Sequence, residues 1–310
     1  MSQAATLSAL TRWRYSPLGY PGGWGVIVAT AAIEVPWCRM AAVTFTGMGS
    51  CVIVVTILLA FAIPYRASGR SRSIADGLEA VAIWSAFTTV GCVLTYLAMR
   101  THRPLADATF AQADARLGFS WLAWHAVVMS HQFPAVVLHL CYATLAPQLL
   151  ATALLGFLGH GERVREFLWA AILSIGVTTI IAGLFPAASA PAFFGVDPGV
   201  AWYHDTLTLR GDAPATFTLR HLTGLVSFPS YHAALAVMLM RAFRGFGWIT
   251  GAAVALNIAV IISALVPGGH YLVDLIAGVA VAIVAIIVTR WRMHGSLQAR
   301  SVSGPGSQNT

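Results

Sequence analysis

Phe228 to Asp274 reads FPSYHAALAVMLMRAFRGFGWITGAAVALNIAVIISALVPGGHYLVD, two short polar islands joined by one apolar hairpin. The first island is Phe228-Pro229-Ser230-Tyr231-His232, and the second is Gly268-Gly269-His270-Tyr271-Leu272-Val273-Asp274. Each lies where a loop turns into a long apolar segment, so each opens a helix. Polar groups are thereby gathered at one end of a bundle of apolar helices, a placement that suits chemistry on a phosphate.

The rest of the chain is built like that hairpin. Of 310 residues, 58% are hydrophobic and 9% charged, against roughly 25% charged in a soluble domain. This is the composition of an all-α, polytopic membrane protein. Compact spans are expected at 229–243, 247–266 and 271–289. Longer ones are expected at 42–63, 77–99, 134–158 and 167–185, near the roughly 20 residues that cross a bilayer. Pro134 and Pro147 should bend or break the span they occupy. Trp24 to Val35 is short and closed by Glu34, Pro36 and Arg39, which leaves an interfacial helix and a short extra span both open. Residues 119–132, rich in Trp and His, suit an interfacial helix. The expectation is a six-helix core plus at least one extra N-terminal helix, divided into a polar or interfacial segment 1–41, a membrane-embedded catalytic domain 42–294 and a disordered cytoplasmic tail 295–310.

The net charge of +7 comes from arginines scattered between apolar segments, which speaks for topogenic loops and against a nucleic-acid partner. Residues 64–75, 159–166, 241–246 and the tail from Arg290 hold 3, 2, 2 and 3 of the 18 basic residues. The excess of arginine marks these loops as cytoplasmic. Residues 100–132, 186–228 and 267–270 then face the opposite side, the periplasm if the membrane is a bacterial inner membrane, and both polar islands lie there. Cys38, Cys51, Cys92 and Cys141 sit in or beside apolar runs without paired spacing, so they read as buried thiols rather than as a disulfide framework or zinc site.

In the second island the two glycines permit a tight turn and close backbone approach at Gly269, and His270 begins the next helix. Asp274 follows four residues later on the same helical face. A carboxyl group there is costly unless paired, and the imidazole is its nearest partner. If Asp274 accepts the Nδ1 hydrogen of His270, Nε2 is left unprotonated and aimed, a nucleophile. In the first island Ser230 is placed as a helix N-cap, so the first-turn amides around Tyr231 and His232 form an anion site. His232 can then protonate the leaving oxygen of an in-line displacement. The scheme calls for no cofactor and no metal, and no carboxylate cluster of the kind that holds magnesium is seen.

These residues carry a family resemblance. The two islands are similar to the second and third signature motifs of the PAP2 phosphatase superfamily, Pro-Ser-Gly-His followed by Ser-Arg, five residues, His, three residues and Asp. Ser263 lies seven residues before His270, and Asp274 has the required spacing. The resemblance implies a phosphorylated nucleophile at His270, an orienting Asp274 and a general acid at His232. Ala264 stands where the family has arginine, Tyr231 where it has glycine, and the first motif, a lysine with Arg-Pro seven residues on, is not found. A bulky residue between Ser and His, with His-Tyr and a following Asp, is similar to the inositol phosphorylceramide synthase and sphingomyelin synthase branch, whose members transfer a phospho-headgroup between lipids. The resemblance covers the last third of the chain well and the first 70 residues not at all.

The functional expectation is therefore a lipid phosphotransferase acting on a membrane phospholipid or lipid phosphate, with a lipid acceptor. Hydrolysis, with water as acceptor, is the alternative in the same chemistry. A non-catalytic lipid transporter with polar residues in its bundle is the alternative of another class. With Ala264 removing one phosphate donor, Arg210, Arg220 and His221 in the long outer loop are the candidate replacements, with Arg100 and Arg103 behind them. Ser230, Tyr231 and Gly269 complete the expected phosphate-binding set, although Tyr231 and Tyr271 also suit packing. His125, His131 and His139 are too irregularly spaced for haem ligation between helices and read as interfacial or hydrogen-bonded.

Overall fold

The computed structural model describes residues 18–302. The elements in chain order are α1 (Pro21–Met40), β1 (Val43–Thr46), α2 (Met48–Ala67), α3 (Arg72–Met99), α4 (Asp107–Arg116), α5 (Trp121–Met129), α6 (Gln132–Ala143), α7 (Leu145–Phe157), α8 (Gly161–Leu184), α9 (Ala190–Phe193), α10 (Ala201–Arg210), β2 (Ala215–Thr218), a 3-10 turn (Leu219–His221), α11 (Tyr231–Ala242), α12 (Trp248–Ser263) and α13 (Leu272–Val302). Among the described residues, five stretches are helical, long and apolar enough to cross a membrane: Met48–Ala67, Arg72–Met99, Gln132–Phe157, Gly161–Leu184 and Leu272–Met293. The protein is an all-α integral membrane protein.

The described chain forms two compact units. The first takes the described residues through Leu97, with Pro147–Arg165 and Gly211–Gly224. Its N-terminal turn is tied down by Glu79, which is fully buried and accepts hydrogen bonds from the Gly19 and Tyr20 amides, the Trp24 indole and the Arg66 guanidinium. Four donors around one carboxylate offset its desolvation. The same unit holds a two-stranded parallel pair in which Val43 faces Ala215 and Thr46 faces Thr218. That pair corrects the expected span at 42–63. The tetrapeptide VTFT, rich in β-branched and aromatic residues, is a strand, Gly47 turns the chain at φ +81°, and the helix starts at Met48.

The second unit takes Ala98–Ala146, Glu166–Arg210 and the described residues from Leu225. In it α11 packs against α12 and α13, α12 against α6, and α4 against α13. The approach of α11 to α13 is close because residue 278 is glycine. A Cβ there would lie 2.2 Å from the Ser230 carbonyl oxygen. At the far end of α11, Glu166 of α8 pairs with Arg241 and Arg244, both at 2.8 Å.

The expected break in 134–158 falls at Thr144, where α6 ends and α7 begins two residues ahead of Pro147. Two of the compact spans are short, with 12 residues in α11 and 16 in α12, because Ser230 caps the first and the glycine-rich hairpin 244–247 separates them. The segment left open at Trp24–Val35 lies within the 20-residue α1. At the other end α13 runs to Val302. Residues 1–17 and 303–310, where the rest of the terminal expectations fall, lie outside the described residues.

Candidate active site

The second polar island is a wound turn that delivers His270 to the start of α13. The Gly269 amide donates to the Val266 carbonyl and the His270 amide to the Ala264 carbonyl, both at 3.1 Å. Gly269 has φ +65°, and a Cβ on it would lie 2.5 Å from the Trp202 ring and 3.1 Å from Pro191. Both the backbone conformation and the space therefore require glycine here. The Gly269 carbonyl accepts from the Ala190 amide at 3.0 Å, fastening the start of α9 to the turn.

His270 is 2% exposed and Asp274 and Ser230 are fully buried. The Nδ1 of His270 lies 3.0 Å from the Ser227 carbonyl oxygen and 3.3 Å from Asp274 Oδ2. A carbonyl can only accept, so Nδ1 carries the hydrogen and Nε2 the lone pair. Burial pushes the His270 imidazole down to about 4, the hydrogen bond to Ser227 opposing, so the ring is neutral at ordinary pH. Asp274 Oδ2 also accepts from the Ser227 hydroxyl at 3.0 Å and the Tyr271 amide at 2.9 Å.

The first island faces this ring. Ser230 caps α11, its hydroxyl accepting from the Ala233 amide at 3.3 Å, and the same oxygen lies 3.1 Å from His270 Nε2. With Nε2 as acceptor, the serine hydroxyl is the donor. His232 Nδ1 stands 3.5 Å from His270 Nε2, and its Nε2 lies 2.9 Å from the Tyr142 hydroxyl. The Ser230 amide donates to the Asp274 carbonyl at 2.9 Å, so the two islands share backbone as well as side-chain contacts.

Two aspartates of α4 brace the turn. Asp114 accepts from the first amides of α13, Leu272 and Val273, at 2.9 Å each, a cap supplied from another helix. Burial pushes its carboxyl up, and those two amide hydrogens pull it back. Asp107 accepts from the amides of Ala188 and Ser189 and from the Tyr271 hydroxyl. Phe110, between them on α4, stacks on Phe228 at 4.4 Å between centroids. Asp114→Ala should strip the acceptor from two buried amides, which costs about 1–3 kcal/mol, and loosen the His270–Asp274 turn. Thermal unfolding in detergent should fall by several degrees and turnover should drop; unchanged melting and activity would show that the cap is dispensable.

The other expected site residues divide. Tyr231 donates its hydroxyl to the Ala171 carbonyl of α8 at 3.2 Å. Arg210, at the end of α10, donates through Nη2 to the Arg103 carbonyl at 2.8 Å, while its Nη1 is buried without a hydrogen-bond partner. Burial pushes the Arg210 guanidinium down, with the Asp107 charge opposing. Arg100 is buried and donates to the Leu209 carbonyl at 3.1 Å, and Arg103 is exposed. Arg220 and His221 are exposed on the 3-10 turn of the first unit.

His125 stacks on Trp121, and His131 and His139 are each within hydrogen-bond distance of backbone carbonyls one helical turn earlier. The four cysteines are free thiols. Among the described residues no group of three or more His, Cys, Asp or Glu side chains could hold a metal ion.

Four residues of the site escaped sequence reasoning: Ser227, Tyr142, Asp107 and Asp114. Only the aspartates left a signal, since a separation of seven residues places them on one face of a short helix.

A family model described as PAP2 superfamily matches residues 108–288, the interval that holds α4 from its second residue, both islands and the first half of α13. No curated protein and no solved structure matches the chain.

Proposed function

The chain belongs to the PAP2 superfamily, and we propose that it transfers a phosphoryl or phospho-headgroup from one membrane lipid to another through a phosphohistidine on His270. The observation that carries this reading is the facing pair of imidazoles, His270 Nε2 and His232 Nδ1, 3.5 Å apart. The first has its hydrogen committed to Nδ1 by a carbonyl. A phosphoryl group bound in line takes the place of their direct contact. His270 Nε2 attacks phosphorus while His232 protonates the departing oxygen, and the Asp274 carboxyl stabilises the positive charge that grows on His270. In the second half-reaction an acceptor hydroxyl gives its proton to His232 and displaces His270.

Ser230, whose hydroxyl already points at the reacting nitrogen, turns to a phosphate oxygen. Arg210 is the cation assigned to the phosphate, because its Nη1 is buried and unpaired and a buried guanidinium hydrogen without a partner is costly. Gly269 serves through shape, its amide being spent within the turn.

A lipid rather than water is the favoured acceptor. His270, Ser230 and Asp274 are nearly closed to solvent, which protects a phosphorylated intermediate from hydrolysis. Tyr231 between Ser230 and His232, as in the inositol phosphorylceramide and sphingomyelin synthases, supports the same choice. The count of loop arginines supports a site on the periplasmic or exoplasmic face. The test is product analysis with a phospholipid labelled in its headgroup phosphate, with and without an acceptor lipid. Label moving to the acceptor lipid is expected. Phosphate or phosphoalcohol released at the same rate without acceptor would make the protein a hydrolase.

A further inference from the structure

Two imidazoles in one site acquire different roles through what holds them. On the proposed reading, the nucleophile His270 has a partner able to carry full negative charge, the carboxyl of Asp274 at 3.3 Å. His232 has a neutral one, the phenol of Tyr142 at 2.9 Å from Nε2, with the two rings 4.9 Å apart between centroids. Tyr142 lies on α6 among the side chains around Ala233, Ala264, Leu265 and Leu275. Phenylalanine would supply the same ring to that cluster, so packing does not account for the hydroxyl.

We propose that Tyr142 is a positioning residue that keeps Nδ1 of His232 as the nitrogen facing the phosphoryl group and keeps this ring the proton donor while His270 is the nucleophile. The inference rests on the phosphohistidine reading. A phenol suits the cycle because it both donates and accepts. In the first half-reaction the bound phosphoryl anion favours a doubly protonated His232, whose Nε2 hydrogen is accepted by the Tyr142 oxygen. The N–P bond to His270 forms, the P–O bond to the leaving group breaks, and the Nδ1 proton passes to the leaving oxygen. His232 is then neutral, with hydrogen on Nε2 and a lone pair on Nδ1. In the second half-reaction Nδ1 takes the proton of the acceptor hydroxyl as the new O–P bond forms and the N–P bond breaks. Tyr142 holds the same nitrogen throughout. A carboxylate in its place would make His232 more basic and a slower donor.

The test compares two substrates in the full-length protein that carry the same phosphoryl group, one with an alkyl alcohol as leaving group and one with 4-nitrophenol, which departs without protonation. In Tyr142→Phe, the single-turnover rate of leaving-group release from the alkyl substrate should fall about 10- to 100-fold, while that from the aryl substrate stays within about threefold and the affinity for both is unchanged. Tyr142→Gln, which restores a donor and an acceptor, should show a smaller disparity, and it supplies the same ratio if the phenylalanine variant does not fold. Equal losses on the two substrates, or no loss, would overturn the role of Tyr142. His270→Ala separates the levels. Turnover surviving in that variant would remove the underlying reading, whereas a dead His270→Ala beside an unchanged ratio in Tyr142→Phe would remove only the role of Tyr142.

Discussion

His270→Ala is expected to lower lipid turnover by at least about 10⁴-fold, because a residue that forms the covalent intermediate cannot be replaced by its neighbours. The substitution removes the ring whose Nε2 faces Ser230 and His232 and whose Nδ1 faces the Ser227 carbonyl and Asp274. It leaves Asp274 Oδ2 with two donors, the Ser227 hydroxyl and the Tyr271 amide, so the fold should survive. Thermal unfolding within a few degrees of the parent, together with lost turnover, is the anticipated pair of results. The transporter alternative predicts the opposite pairing, with lipid movement unaffected in reconstituted vesicles. Turnover within tenfold of the parent would exclude a phosphohistidine at this position.

Asp274→Asn is expected to reduce kcat by about 10³-fold with little change in KM, by analogy with removing the charge behind a catalytic histidine. The size of the loss reports which of two groups holds the imidazole. The Ser227 carbonyl is closer to Nδ1 than Asp274 is, at 3.0 against 3.3 Å, so the tautomer should survive in the variant. What disappears is the negative charge that stabilises His270 when phosphorus is attached. A loss below about tenfold would assign the holding of His270 to the Ser227 backbone alone and leave Asp274 a structural cap of the turn.

Much of this arrangement was legible in the sequence because it is local. A histidine four residues before an aspartate at the opening of a helix is kept close to it, and serine before an apolar run caps a helix, so His270, Asp274 and Ser230 could be placed before any fold was known. The apolar runs likewise announce the long membrane helices. The rest depends on contacts between distant segments. Tyr142 stands in an apolar run where a tyrosine reads as packing, and nothing near it points to His232, ninety residues on. Asp107 and Asp114 read as loop charges until α13 lays its first amides and Tyr271 against them. The strand at 43–46 hid inside an apolar span because its partner, the similar tetrapeptide at 215–218, lies far along the chain. The phosphate cation is intermediate. Arg210 was one of several loop arginines, and only its buried, unpaired Nη1 singles it out.

The covalent intermediate is the central claim, and trapping it tests that claim most directly. Protein mixed with a phospholipid labelled at phosphorus, in the absence of acceptor, and quenched in alkali should carry label that is stable to base and released by acid, the behaviour of a phosphoramidate. Peptide mapping should place it on His270, and Tyr142→Phe should slow its formation from a lipid with an alkyl leaving group. Label on another residue, or turnover without any trapped label under conditions where the second step is blocked, would contradict the account.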